Sequence, residues 1–229
     1  MSIEILYEDN HLLIVVKPPN IPVQGDISGD VDFLTILKED IKLRCNKPGN
    51  VFLGLVHRLD RPVGGVMVFA KTSKAASRLS EQIRNHQMEK IYLCVVQGCP
   101  ESMKGRLTDT LLKDKDNNVV SVVEQGTPGA KQAILDYEVL NSSQGLSLIK
   151  VNLLTGRSHQ IRVQMSNNKT PLVGDSKYGY QGDKSHKLAL WSHQIGINHP
   201  TTKERMLFTS SPPNHILSEN SLFFSGFSL

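Results

Sequence analysis

Two apolar runs, one through Val51, Phe52, Leu53, Leu55 and Val56 and one from Val66 to Ala70, flank a short polar segment, His57 to Pro62. Both runs read as buried strands, and Pro62, Gly64 and Gly65 break the chain between them. Asp60 therefore sits in a turn between two strands, where a rigid scaffold commonly presents reacting groups. Further along, Ile3 to Tyr7 and Leu12 to Val16 read as a hairpin that ends at Lys17-Pro18-Pro19, because proline cannot continue a ladder. Phe33, Leu34, Leu37 and Ile41 fall at helical spacing and predict a helix from about Asp32 to Arg44; Ala76, Leu79 and Ile83 predict a second from about Ser73 to Asn85.

Later strands are expected at Ile91 to Gln97, Arg106 to Leu112, Val119 to Val123, Lys131 to Leu140, Leu146 to Leu153, Leu188 to Ile197 and Arg205 to Phe208. The polar stretch Lys113 to Asn118 reads as a solvated hairpin tip. Many short strands, two or three helices and no regular strand-helix alternation predict an α+β fold, a mixed, largely antiparallel sheet flanked by a few helices and loops. No linker or repeat divides residues 1–229, so a single domain is expected, large enough to bury roughly 70% of its unfolded surface.

Composition narrows the classes. Cys45, Cys94 and Cys99 form no CxxC pair and have no His-x3-His nearby, which argues against a disulfide framework or a metal site. No signal pattern opens the chain and no run of about 18 apolar residues occurs, so a cytoplasmic protein without membrane contact is expected. The net charge of +4 is compatible with a polyanionic partner without demanding one.

His57-Arg58-Leu59-Asp60 resembles the HRLD signature of the RluA-type pseudouridine synthases, RNA enzymes that convert uridine into its carbon-linked isomer. Tyr7-Glu-Asp-Asn-His-Leu-Leu-Ile-Val-Val-Lys-Pro18 is similar to the family's opening strand pair. Lys90-Ile-Tyr-Leu-Cys-Val-Val-Gln-Gly98 resembles its K-x-Y strand, and Leu154-Thr-Gly-Arg-Ser-His-Gln-Ile-Arg-Val163 its T-G-R-x-H-Q-I-R motif. Pro171 to Gly179 and Leu190 to Pro200 follow in the family's order. The chain departs from the pattern at Val63-Gly64-Gly65, where the family usually has Thr-Ser-Gly and a hydroxyl to brace the turn. It departs again at Cys94, which replaces a common alanine, and at Gln164 and Trp191, which stand where histidine is frequent. The first motif starts at Tyr7, so the catalytic part is expected without a preceding RNA-binding domain.

The resemblance implies the pseudouridine synthase fold and assigns roles. Asp60 is the nucleophile, attacking either the ribose anomeric carbon or carbon 6 of the base, a choice the residues leave open. Burial would discharge such a carboxylate, and the resemblance names Arg162 as the guanidinium that keeps it ionised. Tyr92 offers a face to stack on uracil, a contact worth roughly 1–3 kcal/mol against the cost of flipping a nucleotide, and the resemblance adds a catalytic part in removing the carbon 5 proton. Arg58 resembles the side chain that fills the gap left by the flipped base, and Leu190 the apolar wall beneath it. Gly156, Arg157 and Ser158 read as a turn into a short helix capped by Ser158, with Ile161 and Met165 facing inward and Arg162 at the edge of that face. Lys17, Arg61, Lys71, Arg157 and Lys177 are candidate phosphate contacts. His57, His159 and His193 read as hydrogen-bonded structural histidines.

The expected activity is therefore isomerisation of uridines in structured RNA, ribosomal or transfer, by a monomer needing no cofactor and no metal. Two other readings compete: a catalytically silent RNA-binding protein, motivated by the altered Val63-Gly64-Gly65 turn, and a hydrolase using Asp60 with a histidine. No Gly-x-Ser-x-Gly or metal-ligand spacing favours the latter.

Overall fold

The computed structural model describes residues 3–183 and 185–213. Along the chain it forms β1 (Glu4–Glu8), β2 (Leu12–Lys17), α1 (Phe33–Arg44), β3 (Gly54–Leu55), β4 (Gly64–Ala70), α2 (Ser73–Arg84), β5 (Glu89–Gln97), β6 (Lys104–Asp114) and β7 (Val119–Val123). Then come β8 (Lys131–Ser143), β9 (Leu146–Leu153), α3 (Gln160–Asn167), β10 (Leu190–Asn198) and β11 (Arg205–Thr209). The α+β class with a largely antiparallel sheet is borne out. One domain, 1–229, is expected from the sequence; the described residues gather into two compact units, one running up to Glu89 and including Ser192–Ser211, the other within Lys90–Trp191.

In the first unit the strand order is β1-β2-β4-β10, with β3 on β4 and β11 on β10. Leu12, Ile14, Val66, Val68 and Ala70 share one face with Ile195 and Ile197, and α2 covers it through Ala75 and Leu79. On the other face Leu13 pairs Phe69 and Val15 pairs Met67, and the Phe33 ring of α1 meets Phe69 edge-on at 6.2 Å between centroids. Covering on both faces explains why β2 and β4 are unbroken apolar runs rather than alternating ones. Asp32 and Thr72 cap the two helices, accepting from Thr35 N and Ala75 N at 3.0 and 3.1 Å. Gln82 of α2 both donates to Asn198 O and accepts from Asn198 N, locking the helix to β10.

One expectation fails here. The run Val51 to Val56 pairs only at Gly54 and Leu55, and Phe52 is half exposed, because a Phe that points to solvent cannot serve as a core strand position.

The second unit is the meander β5-β9-β8-β6-β7. Ala133, Leu135, Tyr137 and Val139 of β8 are buried while Ile134, Asp136 and Glu138 are not, the period-2 pattern of a strand covered mainly on one face. Val163 of α3 and Tyr178 pack with Leu111, Val120 and Ala133. β5 is buried from Ile91 to Val96; it pairs with β9 along one edge and is hydrogen-bonded along the other to Pro171, Val173 and Ala189.

Candidate active site

In the first unit Asp60 is half-buried at a turn closed by the Val63 N–H donating to Asp60 O at 3.0 Å. The next carbonyl, Arg61 O, accepts from Asn20 N at 2.8 Å and from Lys17 Nζ at 3.2 Å. These three bonds supply the bracing that a Thr-Ser hydroxyl pair would give, and they come from the backbone and from Lys17. Gly65 completes the turn: its φ is +117°, and a Cβ there would run into the Ser192 carbonyl. Ser192 Oγ donates to Val66 O at 3.0 Å, holding the two strands in that register.

Lys17 corrects an expectation. As a phosphate contact it should reach solvent, yet it is fully buried, and its ammonium donates to Pro18 O and Ile21 O at 2.8 Å besides Arg61 O. Three carbonyls take its three protons, so no phosphate at the surface can bind it. Burial pulls its pKa down to about 7, and the nearby negative charge of Asp60 works against that, favouring the ammonium. Lys17 thus presents the Asp60 turn with a positive charge that no acidic side chain among the described residues pairs in a salt bridge.

Arg58 is exposed. Arg61 is exposed and tied to its own unit, donating Nε to Asn20 O at 3.3 Å and Nη1 to Ser28 Oγ at 3.1 Å and pairing with Asp30. Lys71 is held by Glu8 at 2.8 Å.

In the second unit Arg162 lies within α3, 8% exposed. Its guanidinium grips Asp175 through two parallel bonds, Nε to Oδ2 at 2.7 Å and Nη2 to Oδ1 at 2.8 Å. Its Cζ stands 5.0 Å from the centroid of the Tyr178 ring, whose hydroxyl accepts from Val120 N at 2.9 Å and meets His159 Nδ1 at 2.6 Å. Asp175 and Tyr178 were missed as site residues, although Pro171 to Gly179 stood out as a motif; the signal was an acid inside that segment with no role attached. Gly174 sets the acid's position, since its φ is +74° and a Cβ would strike the Lys187 carbonyl.

The Ser158 cap is also corrected. α3 starts at Gln160, and the N-cap position is His159 in the left-handed region with no side-chain cap. Gln160 replaces it from inside the helix: its Oε1 accepts from Arg157 N at 3.0 Å and Thr155 Oγ1 at 2.8 Å, and its amide donates to Ile134 O and Gln164 Oε1. Gln164 passes the chain to Asp109 at 2.7 Å, a relay that needs an amide's acceptor and donor together and gives this departure from the family pattern a structural use.

Ile161, Leu190 and Tyr92 are buried, 4%, 4% and 7% exposed, and Tyr92 pairs across to Val151 in the β5·β9 ladder. Arg157 is exposed, with Nε donating to Gln132 O at 2.8 Å; Lys177 is exposed and donates to Asn118 O. His57 accepts from Val68 N at 3.0 Å and His193 Nδ1 donates to Ser210 O at 2.9 Å, so both have backbone partners as expected.

A strand meander with a short helix bearing a paired arginine, and a strand unit bearing an aspartate turn, define an α+β fold shared by pseudouridylate synthases. The chain aligns with the human RNA pseudouridylate synthase domain containing 4 structure at TM-score 0.78 and 24% identity, covering 93% of this chain and 91% of that one. The family described as RNA pseudouridylate synthase matches residues 11–167, and the chain belongs to it. It is 33% identical to the ribosomal large subunit pseudouridine synthase C of Haemophilus ducreyi, over 93% of this chain and 66% of that protein. It is 30% identical to the RNA pseudouridine synthase YhcT of Bacillus subtilis, described as uncharacterized, over 98% and 73%. The chain thus spans about two thirds of the length of the curated relatives it matches.

Proposed function

We propose that the protein isomerises uridine to pseudouridine in structured RNA, with Asp60 as the nucleophile. The observation that carries this reading is the Asp60 turn: a half-buried carboxylate on a backbone-braced loop, next to the buried ammonium of Lys17, within the matched residues 11–167 that also contain Tyr92 and Arg162. The carboxylate oxygen adds to the substrate carbon, either the ribose anomeric carbon or uracil carbon 6, and the nitrogen-carbon glycosidic bond breaks. The base turns and rejoins through carbon 5, the carbon 5 proton leaves, and the carboxylate is released, so no atom is gained and no cofactor is consumed.

Arg162 serves as the second cation for Asp60. That role rests on the resemblance of its motif, and its fork is already oriented by Asp175. Tyr92 stacks on the flipped uracil with Leu190 and Ile161 as the apolar wall, Arg58 fills the vacated gap, and Arg61 and Arg157 contact phosphate. The names of the relatives point to large-subunit ribosomal RNA as the first substrate to try; transfer RNA is the second. No helix among the described residues is long and apolar enough to cross a membrane.

The test uses unmodified transcripts tritiated at uracil carbon 5. Wild type should release tritium, and Asp60→Asn should lose on the order of 10⁴-fold or more in rate. Undiminished release by that variant removes Asp60 from the chemistry. Salt-sensitive RNA binding by wild type with no release from either RNA identifies the silent RNA-binding protein instead.

A further inference from the structure

Lys90 is a cation the reaction described above does not use. It opens the K-x-Y motif two residues before Tyr92, and the alternation of side chains along β5 turns both to one face. Its Nζ lies 3.5 Å from where a Cβ would stand on Gly156, so the ammonium occupies space that any other residue in that turn would narrow. The neighbouring Arg157 spends Nε on Gln132 O. Among the described residues neither cation has a carboxylate partner, and Lys90 has no hydrogen-bond acceptor. Burial, with Arg157 adding to it, brings the Lys90 pKa down to about 8. A half-buried ammonium beside an exposed guanidinium, with no carboxylate to balance it, is costly unless an anion arrives.

We infer that Lys90 and Arg157, flanking the bare Gly156, form a subsite for a backbone phosphate of the RNA, placed one strand repeat from Tyr92. The inference rests on Tyr92 facing the flipped uridine. The phosphate next to that nucleotide would then be gripped by a point charge from β5 and a planar fork from the turn before α3, which sets the nucleotide's position along the strand without reading its base. Lys90 is a positioning residue in this arrangement, acting on KM rather than on bond-breaking.

Two measurements test it. In the wild-type protein, amine acylation at pH 8 followed by mass spectrometry should label Lys90 readily, because its pKa is about 8 and its side chain is only half-buried, and large-subunit ribosomal RNA transcript should protect it. Unprotected labelling at saturating RNA overturns the subsite, and no variant needs to fold for that outcome. Second, Lys90→Gln should raise KM for the transcript roughly tenfold with kcat changed less than about twofold, and should lower the slope of log affinity against log salt by about 0.7 to 0.9, the release of one phosphate contact. Lys90→Arg should restore both. Wild-type affinity and slope in Lys90→Gln would refute the proposal. Protection and salt slope are read from binding, so they report on the subsite even where tritium release, and with it the assigned reaction, fails.

Discussion

Lys17 in the first unit and Arg162 in the second are both nearly closed off from water, and their surroundings neutralise them differently. Lys17 donates three hydrogen bonds to the carbonyls of Pro18, Ile21 and Arg61, which carry no net charge, so below a pH of about 7 its positive charge is left unmatched near Asp60. Arg162 is matched by the Asp175 carboxylate, which is 2% exposed, and the pair is close to neutral as a unit. A lysine held by neutral dipoles acts on its neighbours through charge; an arginine held by an acid acts through the direction of its fork. Each unit also uses a glycine at positive φ against a carbonyl to hold its acid, Gly65 for the Asp60 turn and Gly174 for Asp175.

The sharpest way to break this contrast is Arg162→Met. It leaves Asp175 buried without its partner and should cost about 3–5 kcal/mol in urea unfolding, along with tritium release. Adding Asp175→Leu should recover most of the stability and none of the activity, because two packed apolar groups replace the pair without restoring the fork. A single variant as stable as wild type would mean that Asp175 is not relying on that arginine.

Lys17→Met comes next, with about 3 kcal/mol expected from three buried carbonyls left unpaired. It also carries a pH signature. The folded pKa, about 7, lies below the ordinary lysine value of 10.5, so between these values the unfolded chain binds the proton more tightly. The penalty of charging the buried group is therefore present in full below pH 7 and disappears as pH rises towards 10.5. Wild-type stability measured against Lys17→Met should climb across that window, with a limit of about 1.4 kcal/mol per pH unit; a flat difference would show that the three carbonyls hold the ammonium at its ordinary value.

The smallest expected effects are those of Gly65→Ala and Gly174→Ala, about 1–3 kcal/mol each from forcing a side chain into the left-handed region against backbone. If positioning the acid is what each glycine does, Gly65→Ala should lower tritium release out of proportion to its loss of stability.

Much of this architecture is legible in residue order because it depends on short-range pattern. The alternation in β8, the continuous apolar runs of β2 and β4, and the spacing of Ala76, Leu79 and Ile83 each report which faces are covered, and α1 and α2 fall within a residue of their expected ends. The reading failed where the deciding partner lies far along the chain. Val51 to Val56 has the composition of a strand, but only Gly54 and Leu55 find a ladder, on β4. Ser158 has the identity of a cap, yet Gln160 takes the contacts because Thr155 and Ile134 are already fixed beside it.

Sequence by itself determined the α+β class, the HRLD turn bearing Asp60, the K-x-Y strand and the helix carrying Arg162, because hydrophobic period, turn residues and motif order are local properties. Tertiary structure decided which charges are matched and by what. Lys17 moved from a presumed surface contact to a buried ammonium when the Arg61 carbonyl, 44 residues away, turned towards it. Asp175 acquired a role when Arg162 met it across 13 residues. Electrostatic partnership follows distance in space, and separation along the chain carries almost no information about it.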